Sequence, residues 1–133
     1  MDLKKIFKGL PDWNKTVNDN FDLINKRVEQ DTGWIKANLT GGAINKDDDP
    51  VQYRKVNNLV IVRGYLRVPE SGGAIIWTPP TEFVPQNQML VRAAFQNSDV
   101  TRTAVVRFWG GKLVSVYNNS SGDYCYIEAI YYV

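Results

Sequence analysis

The chain has 133 residues, of which 44% are hydrophobic, and its 16 basic and 14 acidic residues leave a net charge of +2. This length predicts one domain with a small appendage, and the near-neutral charge excludes an electrostatic footprint for nucleic acid. The absence of histidine removes the commonest general base and transition-metal ligand, and the single cysteine excludes an internal disulfide. Residues 1–10 lack the apolar run of a signal peptide, and no segment approaches a transmembrane helix, which predicts cytoplasmic synthesis without membrane insertion.

An amphipathic helix is predicted over residues 12–30. Its apolar residues follow the a and d spacing of a heptad, with Asn14 at one a position, and they are Leu10, Val17, Phe21, Ile24 and Val28. Fewer than three heptads form only a marginal isolated helix, so this stripe needs a partner. Two partners stay open. One is the chain's own β structure, and the other is a short parallel bundle of copies with an interface of Val17, Phe21, Ile24 and Val28.

After Gly33 the hydrophobic period changes from that of a helix to that of a strand. Residues 1–31 are therefore predicted to be a helical assembly segment, and residues 32–133 a β domain. Eight strands are predicted, over residues 34–39, 51–56, 59–68, 74–77, 89–96, 101–109, 112–117 and 124–133. Asn57-Asn58 and Gly110-Gly111 join neighbouring strands as tight hairpins. Many short strands at this spacing predict a mostly β fold, an antiparallel sandwich or jelly roll after one short helix.

The sequence contains no familiar catalytic or metal-binding pattern. The acidic run Asp47–Asp49 precedes a proline and lacks the alternating ligands of a calcium loop. Gly110-Gly111-Lys112 lacks the upstream glycine and the following helix of a phosphate loop. Cys125 lies in a strand-like run and is predicted to be a buried thiol, because a nucleophilic thiol would need a histidine partner. These patterns predict a protein that is not an enzyme and needs no cofactor or metal.

The aromatic residues of the β domain offer a candidate binding site. Trp109 and Tyr117 lie on either side of the Gly110-Gly111 hairpin in the sequence. Aromatic rings cover the apolar faces of sugars while polar side chains bond the hydroxyls. The predicted saccharide site combines the side chains near two neighbouring hairpin ends: Trp109, Tyr117, Asp123, Arg107, Gln96 and Arg102. The alternative for each aromatic ring is a place in the core or in a subunit contact.

A series of short motifs follows a fixed order along the chain. It begins with Asn18-Asp19-Asn20-Phe21-Asp22-Leu23-Ile24-Asn25 in the helix, and Asn57–Arg63 opens a strand pair. The other motifs are Thr32–Ile35, Tyr53–Val56, Phe83–Pro85, Gly111–Leu113 and the terminal strand from Tyr124. Together they resemble the receptor-binding proteins of tail-tip baseplates of Gram-positive siphophages. The wider pattern is similar to the C-terminal β domains of many phage tail proteins.

This resemblance implies a homotrimer with a coiled-coil N-terminus that attaches to other virion proteins. The β domains would bind saccharide on the host cell surface by reversible adhesion, in which several weak sites act together. The resemblance places the protein in the virion, at the tail tip or baseplate more than at the capsid. The alternative is a structural fibre or capsid decoration protein without a ligand, and a glycan-cleaving enzyme is a third possibility.

Overall fold

The structure is a computed structural model that describes residues 9, 12–28, 30–70, 72–95, 102–120 and 122–133. These residues form one helix, α1 (Trp13–Val28), followed by a series of strands. The strands are β1 (Ile35–Lys36), β2 (Ile44–Asn45), β3 (Gln52–Val56), β4 (Leu59–Arg67), β5 (Ile75–Trp77), β6 (Met89–Phe95), β7 (Ala104–Trp109), β8 (Lys112–Asn118) and β9 (Cys125–Tyr132). A single 3-10 turn, Thr81–Phe83, lies between β5 and β6.

The predicted helix and the mostly β character of the rest are confirmed. Each predicted strand has a counterpart in the structure, with ends that differ by a few residues. The sequence missed β2, which has only two residues and pairs with the end of β4. A two-residue strand is too short to show the alternation that identifies strands in a sequence.

The strands form an antiparallel sheet in the order β1-β3-β4-β9-β6-β7-β8-β5, with β2 added at β4. Strand β6 joins the two halves of this sheet. Met89 to Ala93 pair with β7, whereas Ala94 and Phe95 pair with β9. The sheet curls so far that the Thr40 amide, after β1, donates to the Ile76 carbonyl of β5 at 2.9 Å. The structure therefore shows a curled antiparallel sheet, and the predicted sandwich or jelly roll is not confirmed.

The core lies inside the curl and follows from strand alternation. Residues that point inward from β4, β7 and β9 are buried, namely Val60, Val62, Leu66, Ala104, Val106, Phe108, Ile127, Ala129 and Tyr131. Aromatic rings from both halves meet there, with Tyr53 4.9 Å from Trp77 and Phe108 5.2 Å from Tyr131 between ring centroids. This contact between rings from opposite ends of the strand order holds the curled sheet together.

Cys125 is fully buried, as predicted for a core thiol. Its sulfur donates to the Leu66 carbonyl at 3.4 Å. Burial raises the pKa of the Cys125 thiol to about 12, because the thiolate would lose its hydration inside the core. The residue therefore contributes packing and not chemistry.

A short ordered segment connects the helix to the β domain. Asp31 forms a bridge with Val56, and the Thr32 amide donates to the Lys55 carbonyl at 3.0 Å. The Asp31 carboxylate also pairs with the Arg54 guanidinium, which, together with a hydrogen bond from the Gly33 amide, lowers the pKa of Asp31 to about 2. These contacts fix the point where the helix leaves the sheet, beside the β3–β4 turn.

Candidate functional site

The outer face of the β5–β8 half of the sheet carries the candidate site. Successive side chains of a strand point to opposite faces, so Arg107 and Trp109 point outward while Phe108 is buried. On the outer face Arg107 pairs with Val114 of β8, and Val114 pairs with Ile75 of β5. One cationic and two aliphatic side chains thus form a row across three strands.

The β7–β8 hairpin places Trp109 beside this row, two residues after Arg107 on the same face of β7. Gly110 and Gly111 have φ angles of +57° and +76°, the conformation of a type I′ turn, which glycine adopts without strain. Trp109 and Lys112 are the paired residues that flank the turn. The tight hairpin predicted from the sequence is therefore confirmed, and it presents the Trp109 ring with 53% of its surface exposed.

A cavity of about 420 Å³ lies on this face. Its size falls within the range of about 300–1,000 Å³ that is typical of small-molecule sites. It is bounded by an aromatic ring, aliphatic side chains, two cationic side chains and glycine backbone, from Gly73, Ile75, Arg107, Trp109, Gly110, Lys112, Val114, Ser115 and Val116. A Cβ at Gly73 or Gly110 would have no atom within 4 Å and would project into open space. Glycine at these positions therefore leaves that space empty.

The charged side chains that line the cavity are cationic. Arg107 and Lys112 line it, and no acidic residue is among its described lining residues. The Arg107 guanidinium lies 5.1 Å from the centroid of the Trp109 ring. Its Nε is buried and has no hydrogen-bond partner among the described residues. The cavity thus places two cationic side chains next to an aromatic face, which suits a ligand with acceptor oxygens and an apolar face.

A smaller cavity of about 180 Å³ lies on the other side of the hairpin turn. It shares Trp109 and Gly110 with the larger cavity and also contains Gln86, Asn87 and Gln88. The Val84 side chain lies close to the hairpin. Its Cγ1 is 3.9 Å from the position that a Cβ on Gly111 would occupy. The Trp109 ring therefore borders both cavities.

The structure brings together two of the residues predicted for the site, Arg107 and Trp109. Tyr117 is exposed on the same side of the sheet but pairs with Val105, four residues from Trp109 along β7. At about 3.4 Å per residue this separation is about 14 Å. Tyr117 does not line the cavity, although its neighbour Val116 does.

Arg102 and Asp123 lie at the opposite end of the β7–β8 hairpin from the glycine turn. Their side chains form an ion pair, and Arg102 Nε donates to Ser120 Oγ at 3.2 Å. The Arg102 guanidinium also stacks 4.6 Å from the centroid of the Phe95 ring. Both side chains thus hold the 118–123 turn against the sheet. Gln96, the remaining predicted site residue, lies outside the described residues.

The sequence missed Ile75, Lys112 and Val114 as residues of the cavity. Lys112 and Val114 could have been found, because a two-residue hairpin fixes the register of β8 against β7. Ile75 reaches the cavity only through the pairing of β5 with β8, between segments far apart in the sequence. No local pattern indicates that pairing.

The helix carries a second exposed surface, the stripe predicted for the trimer interface. Phe21 and Ile24 are 59% and 38% exposed, and Val17 is half-buried. Within the described part of the chain the helix has no extensive contact with any strand. Trp13 is also exposed. It lies four residues before Val17, so it falls on the same face of the helix and extends the stripe. Leu10 and the side chain of Val28 lie outside the described set.

The described residues show no group of three or more potential ligands that could hold a metal ion. Among these same residues, no helix has the length and apolar character needed to cross a membrane.

Solved structures of phage receptor-binding proteins share this fold. The crystal structure of the receptor binding protein gp15 of Listeria phage PSA matches with a TM-score of 0.67 and 21% sequence identity, over 96% of this chain and 80% of that chain. The head domain of the receptor-binding protein of lactococcal phage bIL170 matches with a TM-score of 0.54 and 17% identity, over 75% of this chain and 96% of that chain. No protein-family model and no curated protein matches the chain. The structural neighbours are thus of the kind that the motif order indicated.

Proposed function

We propose that this chain is a receptor-binding protein of a phage virion, which adheres to saccharide on the host cell surface through the Arg107–Trp109 cavity. The observation that carries the proposal is an exposed tryptophan ring beside two cationic side chains, Arg107 and Lys112, in a cavity of about 420 Å³. The fold shared with phage receptor-binding proteins supports the same role.

The cavity suits the chemistry of a sugar. The apolar face of a sugar ring would cover Trp109, Ile75 and Val114, while its oxygens would accept hydrogen bonds from Arg107 and Lys112. Such a site provides few direct bonds, so each copy would bind weakly. Several copies on one virion would raise the overall affinity through effective concentration.

Assembly as a homotrimer through α1 is part of the proposal. The stripe of Val17, Phe21 and Ile24 does not pack extensively on the described strands, which supports copies of the chain as its partner. An isolated helix of 16 residues is marginal in water, so burial of this stripe would stabilise it. The same helix would connect the β domains to other virion proteins, at the tail tip or baseplate.

One observation favours the alternative, a structural fibre or capsid decoration protein without a ligand. Ile130 and Tyr132 on the outer face of β9 are 52% and 73% exposed. Exposed apolar side chains of this kind mark contact surfaces between proteins. This alternative does not account for the cavity beside Trp109, and the adhesion experiment separates the two functions.

The experiment measures adhesion of the fluorescently labelled full chain to a panel of Gram-positive strains. The parent should bind at least one strain, and Trp109→Ala should weaken adhesion at least about tenfold, since losing a ring contact of about 1.4 kcal/mol per site changes the Kd tenfold. Tyr132→Ala, which removes an exposed ring away from the cavity, is the matched control and should bind like the parent. Failure of the parent to bind any strain, or parent-like binding by Trp109→Ala, would contradict the proposal.

A further inference from the structure

The two cavities beside the β7–β8 hairpin are parts of one surface. Trp109 and Gly110 line both of them, so the tryptophan ring stands between a space of about 420 Å³ and a space of about 180 Å³. The smaller space alone is below the range of about 300–1,000 Å³ that holds small ligands. It would therefore hold only part of a ligand that also occupies the larger space.

The wall of the smaller cavity is held in place by the core. Tyr131, whose hydroxyl is buried, donates to the Phe83 carbonyl at 2.7 Å, and Phe83 itself is buried. Val84 then lies against the hairpin, and Pro85 restricts the backbone before three successive amide residues. Gln86, Asn87 and Gln88 thus start from an anchored backbone, although their side chains are exposed.

The two cavities differ in chemistry. The larger one has cationic donors and apolar walls, whereas the smaller one has three neutral amides, each of which can both donate and accept hydrogen bonds. None of these three amide side chains is hydrogen-bonded to another described residue. Amides with free donors and acceptors next to an aromatic ring are suited to the hydroxyl and ring oxygens of a neutral sugar unit.

We infer that Gln86, Asn87 and Gln88 form a second subsite, so that the ligand is an oligosaccharide of at least two sugar units lying across Trp109. This inference rests on the proposed function and extends it from a single cavity to a two-part site. One unit occupies the Arg107 cavity and the next unit occupies the amide cavity. Trp109 contacts both, which makes it the central residue of the site.

The test compares fragments of the cell-wall polysaccharide from a strain that the parent binds. Fragments of one, two and three sugar units compete with intact polysaccharide for the full-length protein. In the parent, the two-unit fragment should compete about tenfold better than the one-unit fragment, since two additional hydrogen bonds contribute about that factor. The variant with Gln86→Ala, Asn87→Ala and Gln88→Ala together should lose this advantage and keep its affinity for one unit. Gln52→Ala, an amide on β3, is the control and should behave like the parent.

A second measurement covers the case in which the triple variant is unstable. In the parent, the side-chain amide NMR signals of these three residues should shift with the two-unit fragment and stay unchanged with the one-unit fragment. Equal competition by one and two units in the parent, or a retained advantage in the folded triple variant, overturns the second subsite. If the parent binds no strain, or if Trp109→Ala binds fragments like the parent, the proposed function fails as well. The two failures are therefore distinguishable.

Discussion

At the residue scale, Arg107 borders the cavity but is not fully satisfied by its surroundings. It points out of β7 between Leu90 of β6 and Val114 of β8, and its Nε is buried without a described partner. An unsatisfied buried donor costs about 1–3 kcal/mol. Because Nε is out of a ligand's reach, we expect a ligand in the cavity to bond the terminal nitrogens of the guanidinium, while the buried Nε costs stability with or without a ligand.

Arg107→Met is expected to leave the free energy of unfolding unchanged or raise it by about 1 kcal/mol, because the substitution keeps the volume and removes the unsatisfied donor. The same substitution should abolish adhesion. Arg67→Met is the matched control, since Arg67 Nε is also buried without a hydrogen-bond partner in the described part of the chain, and its guanidinium lies 4.4 Å from the Tyr124 ring. It should keep adhesion. Urea unfolding and cell binding measure both effects, and a loss of more than 1 kcal/mol in Arg107→Met would show that the guanidinium stabilises the fold.

Individual residues also show where sequence reasoning stops. Gly64 falls within a predicted strand and lies within β4, but its φ is +139° and a Cβ there would lie 2.3 Å from the Pro50 carbonyl oxygen. The sequence indicates only that a strand glycine permits close approach of another backbone. It does not indicate that Pro50 is the partner, because this contact follows no ladder pattern.

At the scale of elements, strand positions and the two hairpin pairings were predictable, whereas pairings between strands far apart in the sequence were not. The alternation of residues 89–95 identifies β6, but nothing in it shows that the strand pairs first with β7 and then with β9. That change of partner links the two halves of the curled sheet. The prediction of the site has the same limit. Trp109 and Tyr117 were assigned to one site because they are close in the sequence. The strand geometry separates them.

The helix is the element whose exposed surface most directly predicts assembly. Ile24→Glu places a charge in the apolar stripe and is expected to convert a trimer to monomers, because a buried unpaired carboxylate is strongly unfavourable. Lys26→Glu changes an exposed residue on the opposite side of the helix and should leave the trimer intact. Light scattering at micromolar concentration gives both masses. A monomeric parent, or a trimeric Ile24→Glu variant, would refute the proposed role of the stripe.

At the scale of the whole molecule, none of the described helix residues belongs to the hydrophobic core. The buried hydrophobic cluster runs from Ala37 to Tyr131, and the described contacts of the helix with the strands are not extensive. The sequence predicts an assembly segment before residue 32 and a binding domain after it. We propose this division on the basis of the separation between helix and core.

Deletion of residues 1–30 is therefore expected to leave a folded β domain of lower assembly state. The retained Asp31 keeps its contacts with Arg54 and Val56, so the start of the domain remains anchored. Circular dichroism should retain the β signal, and adhesion should weaken because linked sites are lost. An unfolded truncated chain would mean that the helix belongs to the core.

The central claim is that Trp109 contacts the receptor, and fluorine NMR of the protein labelled with 5-fluorotryptophan tests it directly. The chain has four tryptophans, so the Trp109 signal can be assigned with Trp109→Phe. On addition of cell-wall polysaccharide from a bound strain, the Trp109 signal should shift. The signals of Trp77, which is buried, and of Trp34, which stacks 4.3 Å from the Arg63 guanidinium, should stay in place. An unchanged Trp109 signal at polysaccharide concentrations that saturate adhesion would contradict the claim.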